Sequence, residues 1–364
     1  MKNKKSLDVL IIGGGPAGSA AALTLLNQTS LDVGVVESTD YSNMRVGESV
    51  SPGIMSLLRY LKIESDFASA DHLPSHGIDT AWGSSKIRTR DFFFTGQGSG
   101  WNLDRQGFDL MMAQLVKKRN GLLITSTKII DHKKDQKKWR LTALGSDGKF
   151  EIESSFVIDA SGKSASFARS LGTKWDVLDY LVGIAILYEL DSSEDEQPYT
   201  LLESTPDGWW YSTHLPNNKR IVVFMTDSDI ARQIKIQKQN HWGLALKKTR
   251  YIQKTIKNAR RLVGPNLFPA YSQVIKKSNP LGWVPAGDAV ASFDPLSSIG
   301  IGHAIVSGIE AARVAFNALK SDGRLLPQYL DNVIANFDQY VNNRKHFYGY
   351  EKRWKECPFW KRRQ

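Results

Sequence analysis

The stretch LDVLIIGGGPAG at residues 7–18 decides the fold, because an apolar strand pattern runs directly into the spacing G-x-G-x-x-G. The next eight residues have the composition of a helix. Gly13 permits the tight turn, Gly15 lets the backbone approach a pyrophosphate, and Gly18 lets the helix pack closely on the strand. The positive end of the helix dipole then faces the phosphates. The pattern predicts a dinucleotide site with contacts from Gly13, Gly15, Pro16, Ala17 and Gly18.

A second apolar strand pattern, Leu31–Val36, ends in an acidic residue. Glu37 follows Gly18 by nineteen residues. This is the place at which an acidic side chain meets the ribose hydroxyls of a bound dinucleotide. The two strands, the helix and the acid together predict a Rossmann-like βαβ unit.

Length and composition indicate the broad class of the protein and its number of domains. A chain of 364 residues is longer than one compact core usually serves, which predicts two closely joined domains. Hydrophobic content of 41% and charged content of 23% are typical of a globular protein. No apolar run is long enough for a membrane span. Cys357 is the only cysteine, which excludes an intramolecular disulfide and favours a cytoplasmic location.

The formal net charge of +11 predicts an anionic partner. Basic residues concentrate in 232–261 and in 344–363, where they alternate with aromatic residues. The second segment has three interpretations: a solvated final helix whose aromatics cap the core, a docking surface for an acidic protein, or a nucleic-acid surface. We expect an acidic protein partner and no nucleic acid.

A second group of motifs lies far along the chain, WVPAGDA at 283–289 and DPLSSIGIGHA at 294–304. A short strand brings Asp288 to its carboxyl end, where the carboxylate can accept hydrogen bonds from sugar-like hydroxyls. Pro295 and a glycine-bearing loop then lead into a helix predicted from Ile301 to Leu319. Backbone N–H groups at that helix start would face the pyrimidine edge of a flavin and stabilise its anionic reduced ring.

The two motif groups together resemble the FAD-dependent aromatic hydroxylase fold, whose relatives include flavin-dependent halogenases and geranylgeranyl reductases. The resemblance implies that the first glycine loop and Glu37 hold the ADP half of FAD, and that Asp288 holds the ribityl chain. It places Pro295, Gly300, Ile301 and Gly302 against the isoalloxazine. VIDASG at 157–162, followed by Ser166 and Arg169, is similar to an element of the halogenases and reductases.

Two loops narrow the branch. RVGESVSPG at 45–53 resembles the G-E-S/T-x-x-P-G loop of the halogenases, and WNLDRQGFD at 101–109 resembles their W-x-L-D-R-x-x-F-D segment. Guanidinium groups can pair bidentately with a pyrophosphate. We therefore predict Arg45, Ser49 and Arg105 as cofactor ligands.

The fold class expected from these motifs is α/β (α+β), a Rossmann-like FAD domain with an inserted mixed β-sheet substrate domain and C-terminal helices. Patterns such as DFFF at 91–94 and RIVVFM at 220–225 suit strands of the inserted sheet. The predicted FAD domain comprises 1–75, 99–174 and 276–325, the sheet domain 76–98 and 175–275, and the helical, basic-aromatic tail 326–364.

The segment GWWYSTHLP at 208–216 partly matches the G-W-x-W-x-I-P of tryptophan halogenases, but Tyr211 replaces the second tryptophan. The halogenase lysine has only Lys86 as a nearby counterpart. With AWGS at 81–84 and DPLSS at 294–298, the set looks most like the LodB/GoxB-type flavoproteins, which mature quinone-containing amino-acid oxidases. The resemblance implies an FAD monooxygenase that hydroxylates a tryptophan of a precursor oxidase through a flavin C4a-hydroperoxide, with O₂ as co-substrate, during biogenesis of cysteine tryptophylquinone.

Under this interpretation Trp209, Trp210 and Tyr211 form an aromatic wall for the substrate indole, although plain core packing explains them equally. His214 and His303 are the candidate proton sources, since histidine titrates near neutrality. We predict no metal site. NADH, NADPH and a separate reductase all stay open as reductants, because the chain has no second G-x-G-x-x-G.

Two other functions stay open. A halogenase or hydroxylase of a free aromatic molecule would act without a protein partner. A flavin-bearing maturation chaperone would bind the precursor without redox turnover.

Overall fold

The computed structural model describes residues 5–96, 98–135, 138–191, 199–276, 281–321 and 324–364. Its strands, numbered in chain order, are β1 Lys5–Ile12, β2 Val33–Val36, β3 Ser49–Val50, β4 Leu73–Ser75, β5 Gly77–Ala81, β6 Arg88–Asp91, β7 Gly100–Asn102, β8 Leu122–Ile124, β9 Lys128–Asp135, β10 Lys138–Gly145, β11 Gly148–Asp159, β12 Trp175–Val177, β13 Leu181–Glu189, β14 Tyr199–Thr205, β15 Gly208–Leu215, β16 Lys219–Asp227, β17 Arg260–Pro269, β18 Gln273–Ile275, β19 Trp283–Pro285 and β20 Ala291–Ser292. Its α-helices are α1 Pro16–Gln28, α2 Ile54–Tyr60, α3 Glu64–Ala68, α4 Arg105–Lys118, α5 Ser166–Ser170, α6 Ser228–Gln233, α7 Gln239–Leu246, α8 Gly300–Lys320, α9 Leu325–Gly349 and α10 Pro358–Lys361.

The first large sheet carries the dinucleotide motif. Its strand order is β8-β2-β1-β11-β10-β9, and β19 also pairs with β11. β8, β2, β1, β11 and β19 are parallel, while β9 and β10 form an antiparallel extension. The apolar runs of β1 and β2 are what strands covered on both faces require. Helices α1 and α8 pack side by side, since a Cβ at Gly308 would lie 2.2 Å from the carbonyl oxygen of Ala17.

The second large sheet has the order β17-β13-β16-β15-β14-β5-β6. Its neighbouring strands are antiparallel except for the parallel pair β14 and β5. Side chains of a strand alternate between the two faces of a sheet. Along β15, Trp209 and Tyr211 join one apolar cluster and Trp210 joins the cluster on the opposite face. Smaller sheets join β12, β18 and β20, and β3, β7 and β4.

The predicted α/β fold is confirmed, and the motifs lie on the expected elements. The glycine loop joins β1 to α1, and the second glycine-bearing loop leads into α8. The strand predicted over 220–225 lies within β16. The second sheet takes its strands from 77–91 and 181–269. The domain boundaries stay a prediction, and the predicted range 175–275 includes residues 192–198, which lie outside the described residues.

The strand predicted from DFFF at 91–94 is wrong. Strand β6 ends at Asp91, and a 3₁₀ turn follows from Phe93 to Thr95. The Asp91 carboxylate accepts a hydrogen bond from the backbone N–H of Phe93 at 2.8 Å, which turns the chain out of the sheet. Phe92 is buried, but Phe93 and Phe94 are 81% and 87% exposed.

Candidate functional site

A cleft of about 710 Å³ lies between the two large sheets. Both motif groups and the aromatic strand β15 contribute to its walls. The residues that line the cleft include Gly13, Gly15, Pro16, Ala17, Glu37, Arg45, Glu48, Ser49, Arg105, Asp109, Lys128, Lys163, Thr200, Leu202, Trp209, Tyr211, Asp288, Asp294, Pro295, Gly300 and Ile301. The volume is within the range of ordinary cofactor and ligand pockets.

The first glycine loop shapes one end of the cleft. Gly13 has φ +104°, and a Cβ there would lie 2.3 Å from the carbonyl oxygen of Ala160. Gly15 faces open space, because a Cβ at this position would have only an Arg45 nitrogen within 4 Å, at 3.9 Å. A Cβ at Gly18 would lie 1.9 Å from the Gly13 oxygen, so Gly18 packs the helix and does not line the cleft. No side chain caps α1, which leaves its first N–H groups free for a ligand.

Glu37 is buried at the end of β2 and lines the cleft. Its carboxylate accepts hydrogen bonds from the backbone N–H of Gly14 at 2.7 Å and of Thr39 at 2.9 Å. The same side chain therefore orients the glycine loop. It also accepts a hydrogen bond from the Thr39 hydroxyl at 2.7 Å, and the predicted ribose contact stays a prediction.

Arg45 and Arg105 meet at a buried carboxylate that sequence reasoning did not assign. An Asp109 oxygen accepts from Arg45 at 2.7 Å and from Arg105 at 3.2 Å, and Asp109 has no exposed surface. Arg105 also donates to the carbonyl oxygens of Val46 and Gly47. One carboxylate thus fixes two guanidinium groups beside Gly15. Arg45 also lies 3.5 Å from Glu37, and guanidinium groups placed beside Gly15 are suited to pair with a pyrophosphate.

The other end of the cleft lies at the start of α8. No side chain caps this helix, and a Cβ at Gly300 or Gly302 would meet nothing within 4 Å. Gly300 lines the cleft and Gly302 does not. Asp288 follows β19 and lies 3.5 Å from the Lys163 ammonium group. Two uncapped helix starts and the open glycine positions therefore fit the two ends of a flavin dinucleotide.

The aromatic residues of β15 divide between the two faces of the sheet. Trp209 and Tyr211 line the cleft. Trp210 lies on the opposite face, stacked on Phe224 with ring centroids 4.5 Å apart, and does not line the cleft. His214, an even number of residues from Trp210, shares its face. The predicted catalytic roles of Trp210 and His214 are not supported by this placement, because strand alternation turns both away from the cleft.

His303 also lies away from the cleft. It lines a separate cavity of about 350 Å³ between α8 and α9. Its Nε2 atom is buried without a hydrogen-bond partner among the described residues, and burial lowers the pKa of the imidazole. The predicted role as a cleft proton source is not supported by this placement, because His303 does not line the cleft.

Glu48 is the cleft residue that sequence reasoning missed, although it stands inside the quoted RVGESVSPG loop. The side chain is buried, and its Oε2 accepts a hydrogen bond from the Tyr211 hydroxyl at 3.0 Å. Its Oε1 is buried without a hydrogen-bond partner among the described residues. Burial raises the pKa of this carboxyl, and the nearby Arg105 charge opposes that effect. The carboxyl therefore retains a proton to a higher pH than an exposed glutamate does.

A buried polar network supports the aromatic wall from behind. The Trp209 indole N–H donates to the Tyr348 hydroxyl at 3.0 Å, and that hydroxyl donates to Asp294 at 2.7 Å. Arg344 pairs with the same Asp294 carboxylate at 3.3 Å. Residues of α9 thus hold both the cleft tryptophan and the DPLSS loop in place.

The basic-aromatic tail is internal only in part: some of its aromatic residues cap the core, while Phe347 and Tyr350 are 51% and 55% exposed. Tyr348, Phe359 and Trp360 are fully buried in the apolar cluster that contains Trp209. Arg363 forms a buried ion pair with Asp227. The exposed lysines of the tail are Lys345, Lys352, Lys355 and Lys361.

Among the described residues, no group of three or more histidine, cysteine, aspartate or glutamate side chains is placed to hold a metal ion. None of the described helices is long and apolar enough to cross a membrane.

The fold and the cleft together define a flavin-dependent oxidoreductase. The sequence matches the tryptophan halogenase family over residues 8–97 and 84–364, and the chain belongs to that family. It is 32% identical over 364 residues to the putative FAD-dependent oxidoreductase LodB of Marinomonas mediterranea, covering 99% of this chain and 97% of LodB. The predicted resemblance to the LodB branch is thereby confirmed, and the protein is an enzyme.

Other relatives share the fold at lower identity. A 1H-pyrrole-2-carbonyl-[peptidyl-carrier protein] brominase of Pseudoalteromonas luteoviolacea is 24% identical over 94% of this chain and 85% of its own. The flavin-dependent halogenase CmlS superposes with a TM-score of 0.88 at 23% identity, covering 99% of this chain and 68% of its own. QhpG, described as a peptidyl tryptophan dihydroxylase essential for tryptophylquinone cofactor biogenesis, superposes with a TM-score of 0.75 at 20% identity, covering 99% of this chain and 79% of its own.

Proposed function

We propose that this enzyme hydroxylates a tryptophan side chain of a precursor amino-acid oxidase, as a step in the biogenesis of cysteine tryptophylquinone. The observation that carries the proposal is the wall of Trp209 and Tyr211, which closes a dinucleotide cleft beside the unpartnered carboxyl oxygen of Glu48. The likeness to LodB over nearly the whole of both chains supports it, and so does the fold shared with a peptidyl tryptophan dihydroxylase.

Hydroxylation of an aromatic C–H bond consumes O₂, two electrons and two protons, and it releases water. When bound, FAD would supply the electrons and the activated oxygen. The reductant of the flavin is NADH, NADPH or a separate reductase. The protein must supply position, exclusion of water and protons.

The aromatic wall supplies position and exclusion of water. Trp209 is 1% exposed. Its ring is held by the hydrogen bond to the Tyr348 hydroxyl and by an edge-to-face contact with Trp82, whose ring centroid lies 6.2 Å away. A substrate indole packed against such a ring gains about 0.5–1.5 kcal/mol beyond the burial of its area. A fixed ring also lowers the cost of ordering the site when the substrate binds.

Glu48 supplies the proton. Its Oε1 is buried without a hydrogen-bond partner among the described residues, and burial raises the pKa of the carboxyl, so that it retains a proton to a higher pH than an exposed glutamate does. Tyr211 donates a hydrogen bond to the opposite oxygen, which fixes the carboxyl in the wall of the cleft. After donation, the carboxylate is placed to take up the proton that the hydroxylated ring carbon loses.

A halogenase of free aromatics is the second candidate, because the matching family is named for tryptophan halogenases. Lys86, the only nearby candidate for the halogenase lysine in the sequence, is exposed in the loop between β5 and β6 and does not line the cleft. The lysines that do line the cleft are Lys128 and Lys163, and the second is paired with Asp288. The geometry therefore favours oxygenation.

Mass spectrometry of the precursor oxidase, produced with and without this enzyme, tests the proposal. We expect the mass of one or two oxygen atoms on a tryptophan-containing peptide only when the enzyme is present with its flavin. Halogenated free tryptophan in chloride or bromide buffer would support the second candidate instead. Quinone formation with flavin-free enzyme would support a chaperone and refute oxygenation.

A further inference from the structure

Strand β6 forms an open edge of the second large sheet. The strand order ends at β6, and its residues 88–90 are exposed. Along such an edge, alternate backbone N–H and C=O groups point outward without a partner strand. An extended peptide can therefore add to the sheet as a further strand.

The strand register connects this edge to the cleft. Tyr211 pairs with Leu202, Leu202 pairs with Thr80, and Thr80 pairs with Arg88. Directly paired residues of neighbouring strands share one face of a sheet. Arg88 therefore belongs to the face that carries Tyr211, three strand spacings or about 14 Å away.

Arg90 lies two residues after Arg88 on β6, on the same face of the sheet. It pairs with Ile78, which pairs with the cleft residue Thr200. Among the described residues, neither Arg88 nor Arg90 has an ion-pair partner, whereas Arg344 and Arg363 are bound to buried carboxylates. Two uncompensated positive charges thus lie on the cleft face of the open edge.

Two exposed phenylalanines directly follow the strand. Phe93 and Phe94 are 81% and 87% exposed, and their rings meet edge to face at 5.8 Å. Charged residues on an edge strand protect proteins from edge-to-edge pairing. Exposed phenylalanines have no such protective effect. On a chain of net charge +11, the arginines repel a second copy and attract an acidic segment.

We propose that β6 and the Phe93–Phe94 pair form the docking surface for an extended acidic segment of the protein substrate. Carboxylates of that segment pair with Arg88 and Arg90, its backbone adds to β6, and an apolar side chain packs on the two phenylalanine rings. The proposal rests on the proposed function, since it requires a protein substrate. It assigns to the sheet edge the recognition that the cleft does not provide.

Fluorescence anisotropy with a labelled peptide of alternating glutamate and valine, about six residues long, tests the surface directly. We expect the acidic peptide to bind the holoenzyme and its lysine counterpart to bind at least about tenfold more weakly. The double variant R88E/R90E should lose about tenfold in affinity for the acidic peptide. Methylation of alternate backbone nitrogens in the peptide should also weaken binding, because strand addition needs those N–H groups.

The matched control is K133E/K149E, which reverses two exposed charges on the other large sheet and lowers the net charge equally. We expect this variant to bind the acidic peptide within about twofold of the unaltered enzyme, because simple net charge is not the cause. Equal losses in the two variants, or no binding of the acidic peptide, would overturn the docking surface.

Binding of the acidic peptide and oxygenation of the precursor are measured separately. Oxygen added to the precursor by R88E/R90E at the unaltered rate would refute the docking surface and leave the proposed function standing. Acidic peptide bound at the β6 edge, with no oxygen added to any precursor, would refute the proposed function and leave the surface standing. The FAD content of each variant confirms that the fold is intact.

Discussion

Replacing Glu48 by glutamine removes the acidic proton and keeps the size of the side chain. Glutamine keeps the shape and can accept the hydrogen bond from Tyr211, but it carries no acidic proton. General acid–base catalysis is worth about 10²–10⁴-fold. We expect E48Q to retain FAD and to lose about 100-fold or more in the rate of oxygen transfer to the precursor, measured by mass spectrometry in single turnovers.

The pH dependence identifies the carboxyl. The pKa of Glu48 is raised by burial above its ordinary value of 4.5. The unfolded chain loses this proton first, so the contribution of Glu48 to stability is complete below about pH 4.5. It is lost as the pH rises through the pKa of the folded state. Each unit of the raised pKa costs about 1.4 kcal/mol. E48Q has no carboxyl group to ionise, so it should be more stable than the unaltered enzyme in urea unfolding at pH 8. The difference in stability should vanish in acid.

Glu351 provides the control for that measurement. It is also buried, but its pKa is lowered, because hydrogen bonds from Arg353, Ser204 and the backbone of Gly83 outweigh the effect of burial. Its contribution to stability is present above about pH 4.5 and is lost as the pH falls through the lowered pKa. E351Q should therefore be the less stable protein at pH 8. The proton-donor role of Glu48 is refuted if E48Q keeps the unaltered oxygenation rate, or if its stability changes with pH as that of E351Q does.

Three further predictions concern other parts of the cleft. W209F removes the buried hydrogen bond to Tyr348 and should lower the free energy of unfolding by about 1–3 kcal/mol as well as the oxygenation rate. W210F removes an indole N–H with no partner among the described residues and should reduce stability while sparing the oxygenation rate. Equal oxygenation rates of the two variants, with the folded fraction of each determined by urea titration, would contradict this prediction. G15A places a methyl group in the open cleft and should weaken FAD binding in a fluorescence titration without changing the stability of the apoprotein, whereas G18A forces a contact at 1.9 Å and should destabilise the fold; the reverse order would show that the loop is misassigned. D109N removes the carboxylate between Arg45 and Arg105 and should destabilise the protein by about 3–5 kcal/mol, measured by urea unfolding, and a change below 1 kcal/mol would show that the two arginines need no shared carboxylate.

Local signals in the sequence were sufficient to predict the dinucleotide half of the fold. Gly13 and Gly18 have close backbone contacts that leave only glycine as an acceptable residue, and Gly15 faces the open cleft. The apolar runs of β1 and β2 indicate buried strands. Both kinds of signal are visible as short sequence patterns, which is why the first motif and the second helix start were placed correctly.

The residues that line the aromatic side of the cleft could not be predicted in the same way. Strand alternation would have separated Trp209 from Trp210 and His214, but the face that meets the cleft is decided by tertiary packing. Glu48 was hidden for a different reason, since its significance comes from burial and from Tyr211, a residue 163 positions away. DFFF at 91–94 misled because aromatic residues favour strands, while Asp91 ends the strand with a side-chain hydrogen bond.

The wall behind Trp209 has a consequence for biosynthesis. Tyr348 and Trp360 complete the packing around that indole, and both are far from it along the chain. While the ribosome still holds residues 344–363, the glycine loops can already form, but the aromatic surface has no backing. A newly made chain would thus form its glycine loops before the packing around Trp209 is complete.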